Sequence, residues 1–214
     1  MSDANNALWR INKWYPELDP RVAKMAEAYH SELIKFNLKV NLISRNTERE
    51  ADENHFADCL MGCQLIVNSG IEGPVFDIGS GNGLPGLILA IMAPKAEVHL
   101  VESDTRKGEF MKHVIHFLGL ENAKVLNLRL ESLKKAELNA ATTRGFATIT
   151  KTLLSCNASF LKGGRIFHFK GPSWSREVAE IPSQIISQWK PELLGEYSLP
   201  NTQVRRVVVC TTKI

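Results

Sequence analysis

The sequence predicts a doubly wound α/β fold: a sheet of about seven strands, parallel through its centre, flanked by helices and preceded by a helical extension. Three observations carry that prediction. Val75 to Gly86 read VFDIGSGNGLPG, an apolar run that breaks into alternate glycines and reopens as a helix-period segment. Strand-like and helix-like runs then alternate, as parallel β-α-β units require. The chain closes on two β-prone runs, Leu193 to Leu199 and Arg205 to Thr212, joined by a turn at Pro200-Asn201, which suits a terminal antiparallel hairpin.

Before the glycine loop, Val22, Met25, Tyr29, Leu33 and Phe36 fall on one helical stripe with Pro20 at its first turn. Asn37 to Ser44 interrupts this helix, and a second helical stretch is expected from Glu48 to Val67. Residues 1–72 are therefore expected to form an N-terminal helical extension packed on a core of residues 73–214. Within the core, Val75 to Ile78 forms the first strand, and Gly79, Gly81 and Gly83 let the chain turn tightly and let a ligand approach the backbone. Leu84, Leu87, Ile88, Ile91 and Met92 then open a helix. Val98 to Val101 is the second strand, and Phe110, Val114, Phe117 and Leu118 mark a helix closed by Gly119. Lys124 to Leu128 reads as the third strand, Leu138 to Thr143 as the fourth, with Phe146 to Thr150 serving almost as well, and Gly164 to Lys170 as the fifth.

Hydrophobic content of 44% and charged content of 23% are those of a globular chain, and 214 residues suffice for one well-filled core. No window approaches the ~20 apolar residues of a membrane span. Met1 to Asn6 is polar and lacks a signal peptide's apolar centre, so a cytoplasmic protein is expected. Cys59, Cys63, Cys156 and Cys210 have neither disulfide-framework nor metal-ligand spacing and read as reduced, partly buried thiols. His113 and His116 lie three apart on a helix without further ligands nearby, so no metal is expected. Ser80 lacks glycines at the offsets of a hydrolase nucleophile loop. The net charge of +3 argues only weakly for nucleic acid, but Lys170 and the Arg205-Arg206 pair stand at strand ends where they are expected to hold phosphates. The alternative for each is a solvated sheet edge.

The glycine loop specifies its ligand by charge and spacing. A dinucleotide fingerprint would need glycine at the position of Leu84. Asp77, two residues before the first glycine, would repel a pyrophosphate but match a cation. S-adenosylmethionine carries a sulfonium and an ammonium, so Asp77 is expected to face the ammonium while loop amides and a helix start take the carboxylate. Glu102 follows the second strand about 20 residues beyond the loop, the place of a ribose-binding carboxylate; its plain alternative is a solvated strand end. In a doubly wound sheet, ligands bind beyond the carboxyl ends of the strands at the switch in strand order. That rule collects the Gly79 loop, Glu102, Leu130 with Glu131, Arg144 and Lys170 on one face. Backbone groups at Leu130 and Glu131 are the expected adenine contacts, the Glu131 side chain orients adenine or caps a helix, and Arg144 follows the fourth strand beside the transferring methyl.

With these motifs placed, nearly the whole chain resembles the bacterial guanine-N7 methyltransferases of small-subunit ribosomal RNA, the family once named glucose-inhibited division protein B. The resemblance rests on Asp77 to Gly86 with its Leu-Pro-Gly tail, Asn41-Leu42, His55 with Asp58, Arg129-Leu130-Glu131, Arg144 with Phe146-Ala147, and Lys170-Gly171. It implies a Rossmann-like, class I S-adenosylmethionine-dependent methyltransferase fold, and cofactor contacts at Gly79, Leu84, Leu130, Glu131 and Arg144, beside the Gly81 contact expected from the loop itself. It further implies a guanine in the 16S ribosomal RNA loop near the decoding centre as substrate, with Asn41, His55, Lys170, Arg205 and Arg206 on the substrate side. Free rRNA or an assembling small subunit is the expected partner, and a monomer the expected state. The chain departs from the family's usual pattern at Phe36, Ala57, Cys59, Thr143, Gly145, Val204 and Arg206, while the cofactor loop is untouched. Guanine N7 bears an in-plane lone pair and no proton, so no general base is expected. A small-molecule methyltransferase and a non-catalytic RNA-binding assembly factor are the competing readings. A nicotinamide oxidoreductase is disfavoured by Leu84 and Asp77.

Overall fold

The computed structural model describes residues 7–71, 73–133 and 138–214. A short helix α1 (Ile11–Trp14) leads into α2 (Pro20–Asn37), which begins where Pro20 fixes the first turn and the Asp19 carboxylate accepts from the Arg21 and Val22 amides. Of its expected stripe Val22, Tyr29 and Leu33 are buried, while Met25 and Phe36 are half-buried against the same cluster. Beyond α2 the Asn37 side-chain oxygen accepts from the Leu42 and Ile43 amides, both at 2.9 Å, turning the chain into α3 (Arg45–Glu48). The single helix expected from Glu48 to Val67 is not continuous. A π-helical segment, Asp52–Ala57, precedes α4 (Asp58–Asn68).

The sheet comprises β1 (Val75–Ile78), β2 (Val98–Val101), β3 (Ala123–Leu126), β4 (Leu138–Arg144), β5 (Phe160–Lys170), β6 (Trp189–Ser198) and β7 (Arg205–Lys213), in spatial order β3-β2-β1-β4-β5-β7-β6. β1 pairs in parallel with both β2 and β4, so strand order reverses at β1, and β7 runs antiparallel to β5 and β6. The doubly wound seven-stranded sheet and its terminal hairpin are those read from the sequence. β1 and β2 are wholly buried because helices cover both faces. β3 ends at Leu126, two residues earlier than expected, and a 3-10 turn (Leu130–Leu133) follows. Phe146 to Thr150 is not a strand; Thr148 caps the helix α7 (Ile149–Cys156). β5 starts earlier than its glycines suggested, since the register shift beside Gly163 is a bulge within the strand.

α5 (Gly86–Met92) and α6 (Thr105–Leu118) lie on the same face as the N-terminal helices. Tyr29, Leu33 and Phe56 share one buried cluster with Leu87, Ile88 and Phe110. The opposite face packs Ile149, Leu153, Ile166 and Trp189 under α7, α8 (Trp174–Ala179) and α9 (Ser183–Ile186). The four cysteines are free and buried. Among the described residues no helix is long and apolar enough to cross a membrane.

Candidate functional site

A cleft of about 700 Å³ opens beyond the carboxyl ends of β1, β2 and β4, at the switch in strand order. The glycine loop forms its floor. Gly79 and Ser80 donate backbone bonds to Val101 O at 3.0 and 3.1 Å, so the loop is stitched to the end of β2. Gly79 and Gly81 have φ of +68° and +58°, a conformation that penalises a side chain. A Cβ at Gly79 would also lie 2.4 Å from the Phe146 ring. Glu102 lines the wall, one carboxylate oxygen accepting from the Gly81 amide and the other from the Asp104 amide, both at 2.8 Å. The turn at Leu130 and Glu131 closes the side beyond β3.

The far end is built around Arg144, the last residue of β4. Its Nε donates to Asp58 Oδ2 at 2.8 Å, and its Nη2 donates to Asn54 O at 2.8 Å and to His55 Nδ1 at 3.1 Å. The π-helical segment supplies two of these acceptors, consistent with the use of such segments to re-aim groups at sites. Because a guanidinium can only donate, His55 Nδ1 must accept, and its Nε2–H points to Thr47 Oγ1 at 3.1 Å. Burial, with Arg144 and His30 adding positive charge, pushes the His55 pKa down to about 3. His55 is therefore neutral at pH 7, with its lone pair already engaged. Asp58 also accepts from the Tyr197 hydroxyl at 2.9 Å and faces the Arg206 guanidinium at 3.8 Å.

The cleft brings together Gly79, Gly81, Leu84, Glu102, Leu130, Glu131, His55 and Arg144 of the residues picked from sequence. Others lie elsewhere. Asp77 does not face the cleft: its carboxylate is 1% exposed and turned under the loop, accepting from Thr142 Oγ1 at 2.9 Å and the Gly86 amide at 3.1 Å. It fastens β1 to β4 and to the start of α5 rather than meeting a ligand's ammonium. Lys170 does not present a free ammonium, because Nζ donates to Ala147 O and Glu177 Oε2, both at 2.8 Å, in a largely buried position. Arg205 is exposed, and its Nη2 donates to both Glu196 carboxylate oxygens across the hairpin at 2.8 and 2.7 Å, which offsets its charge. Arg206 reaches the Arg144 end through Asp58, and Asn41 is exposed beside Leu42, which lines the cleft.

Sequence reasoning passed over Asn54, Tyr197, Lys107 and the ring of Phe146. An asparagine carbonyl inside a helix carries no signal, and Tyr197 meets Asp58 only through the terminal hairpin. Lys107 and Arg129 line the cleft without an ion pair among the described residues. No cluster of three or more His, Cys, Asp or Glu among the described residues could hold a metal, and His113 instead bonds Glu32 at 2.7 Å.

The chain matches the GidB family, described as rRNA small subunit methyltransferase G, over residues 22–197. It is 42% identical over 207 residues to the protein named Ribosomal RNA small subunit methyltransferase G 3 from Bdellovibrio bacteriovorus, covering 96% of this chain and 94% of that one. Ribosomal RNA small subunit methyltransferase G from Paracoccus denitrificans is 35% identical over 173 residues, 81% of this chain and 86% of its own length. Among solved structures, P. horikoshii TYW2 in complex with MeSAdo aligns with a TM-score of 0.55 at 17% identity, over 82% of this chain and 65% of that one. The YcgJ protein from Bacillus subtilis aligns at 0.54 and 13%, over 72% and 98%. At such identities these two structures show the fold alone.

Proposed function

The chain belongs to the rRNA small subunit methyltransferase G family, and on that footing we propose that it transfers a methyl group from S-adenosylmethionine to N7 of a guanine in the decoding-region loop of 16S ribosomal RNA. The observation that carries the choice of acceptor is the His55 and Arg144 arrangement. The cleft holds a glycine loop and a strand-end carboxylate suited to an adenosyl ligand, yet its one imidazole is neutral with both nitrogens engaged. A transfer that used this imidazole as its base would find the lone pair engaged. Transfer to guanine N7 needs no base.

The residues fit the cofactor. Glu102 stands where ribose hydroxyls would be accepted, exchanging part of its hold on the Gly81 amide. Leu130 and Glu131 would meet the adenine, and the loop from Gly79 to Leu84 would carry the amino-acid end. When bound, S-adenosylmethionine supplies a methyl group on a positively charged sulfur. The protein's part is to hold N7 in line with that methyl at near-attack distance, an advantage of roughly 7 to 11 kcal/mol. Arg144 fixes the wall of the transfer end while Asp58 compensates its charge. Lys107 and Arg129 stand at the cleft where RNA phosphates would approach.

The experiment is to digest 16S rRNA from cells with and without the gene and to map modified nucleosides by mass spectrometry. Loss of one 7-methylguanosine is expected, restored by the purified enzyme on small subunits or rRNA. Lys107→Ala and Arg129→Ala should each lower the salt slope of RNA binding by roughly 0.7. An unchanged rRNA modification pattern, with transfer to a small molecule instead, would overturn the reading.

A further inference from the structure

Phe146 is an aromatic side chain at the wall of the cleft that is 40% exposed and belongs to neither buried hydrophobic cluster. Its position is built. Gly145 precedes it with φ of +64°, a conformation that costs other residues, and the turn this allows leads from Arg144 at the end of β4 to a ring resting on Gly79. The ring thus rests on the glycine loop, two residues beyond Arg144, and both residues line the cleft.

We propose that Phe146 is the platform on which the target guanine stacks, and that its π face stabilises the positive charge the base acquires as it is methylated. The proposal rests on the guanine-N7 reading. In that reaction N7 gives its lone pair to the methyl carbon, the carbon–sulfur bond breaks with its electron pair on sulfur, and the positive charge passes to the guanine; no proton moves. Cations beside the base would oppose this change. Here Asp58 offsets part of the charge of Arg144 and Arg206 and His55 is neutral, and the negative face of the Phe146 ring acts in the same direction as Asp58. A stacked base gains contact area in ground state and transition state alike, but attraction between the ring face and a cation grows only as charge develops, which raises the rate rather than the affinity.

The test is single-turnover methylation of rRNA at saturating S-adenosylmethionine, with phenylalanine at position 146 replaced by its mono-, di- and trifluorinated analogues. These keep the shape of the ring while draining its face of negative charge. The logarithm of the rate should fall stepwise with each fluorine, Phe146→Trp should retain activity, and Phe146→Leu should lose roughly ten- to thirtyfold. Rates independent of fluorination, with 7-methylguanosine still formed by the parent, would overturn the role of Phe146 and leave the acceptor standing. A parent that forms a different methylated nucleoside would overturn the acceptor and the charge argument with it.

Discussion

Asp77 stands on β1 with its carboxylate in the core, held by Thr142 and the Gly86 amide. Burial pushes its pKa up to about 6 from the ordinary 3.8, against the opposite pull of those hydrogen bonds. A carboxyl whose pKa is raised by folding favours the folded state fully below its unfolded value and loses that contribution as pH rises through the folded one. Between pH 4 and 7.5 the change is about 2 kcal/mol. Asp77→Asn lacks this titration, so the stability of the parent relative to the variant should grow by about that amount on acidification from 7.5 to 4, read by urea unfolding at each pH. A constant difference across the window would contradict the placement. The residue type and its distance from the glycines were legible in the sequence; which way the side chain turns was not. That direction depends on Thr142, 65 positions away and brought alongside only by the β1–β4 pairing. Lys170 repeats the lesson, since its partner Glu177 lies on α8, a helix too short to leave a periodic signal.

Between α3 and α4, consecutive residues of the π-helical segment serve different parts of the molecule. Asp52 accepts from Arg10, Glu53 from the Asn201 and Thr202 amides and the Thr202 hydroxyl, and Asn54 and His55 from Arg144. Burial of Phe56, Ala57, Cys59 and Leu60 is compatible with a regular helix through this stretch, so hydrophobic periodicity shows a helix without revealing its widened turn. The tertiary acceptors account for the departure. Glu53 is wholly buried and gathers the turn that leads into β7. Glu53→Gln keeps the shape but weakens charge-assisted bonds, so exchange of the Asn201 and Thr202 amides should quicken by roughly tenfold. Equal exchange in parent and variant would remove the segment's hold on that turn.

Across the whole molecule, alternation of apolar runs and the glycine loop were enough to give the parallel sheet and the terminal hairpin, because buried parallel strands require continuous apolar runs. The cleft followed from the reversal of strand order at β1, and Gly79, Glu102, Leu130 and Arg144 meet there because each lies at the end of a strand or shortly after it. Less legible was the chemistry of the far wall, which depends on the N-terminal helices delivering Asn54, His55 and Asp58 to a strand-end arginine. That wall offers positioning and charge compensation without a free base. The most direct test is the pH dependence of single-turnover methyl transfer to rRNA at saturating cofactor between pH 6.5 and 9. A flat profile is the expected result, since neither N7 nor the neutral His55 changes protonation in that range. A rate that climbs tenfold per pH unit would show a deprotonation on the path and contradict transfer by positioning alone.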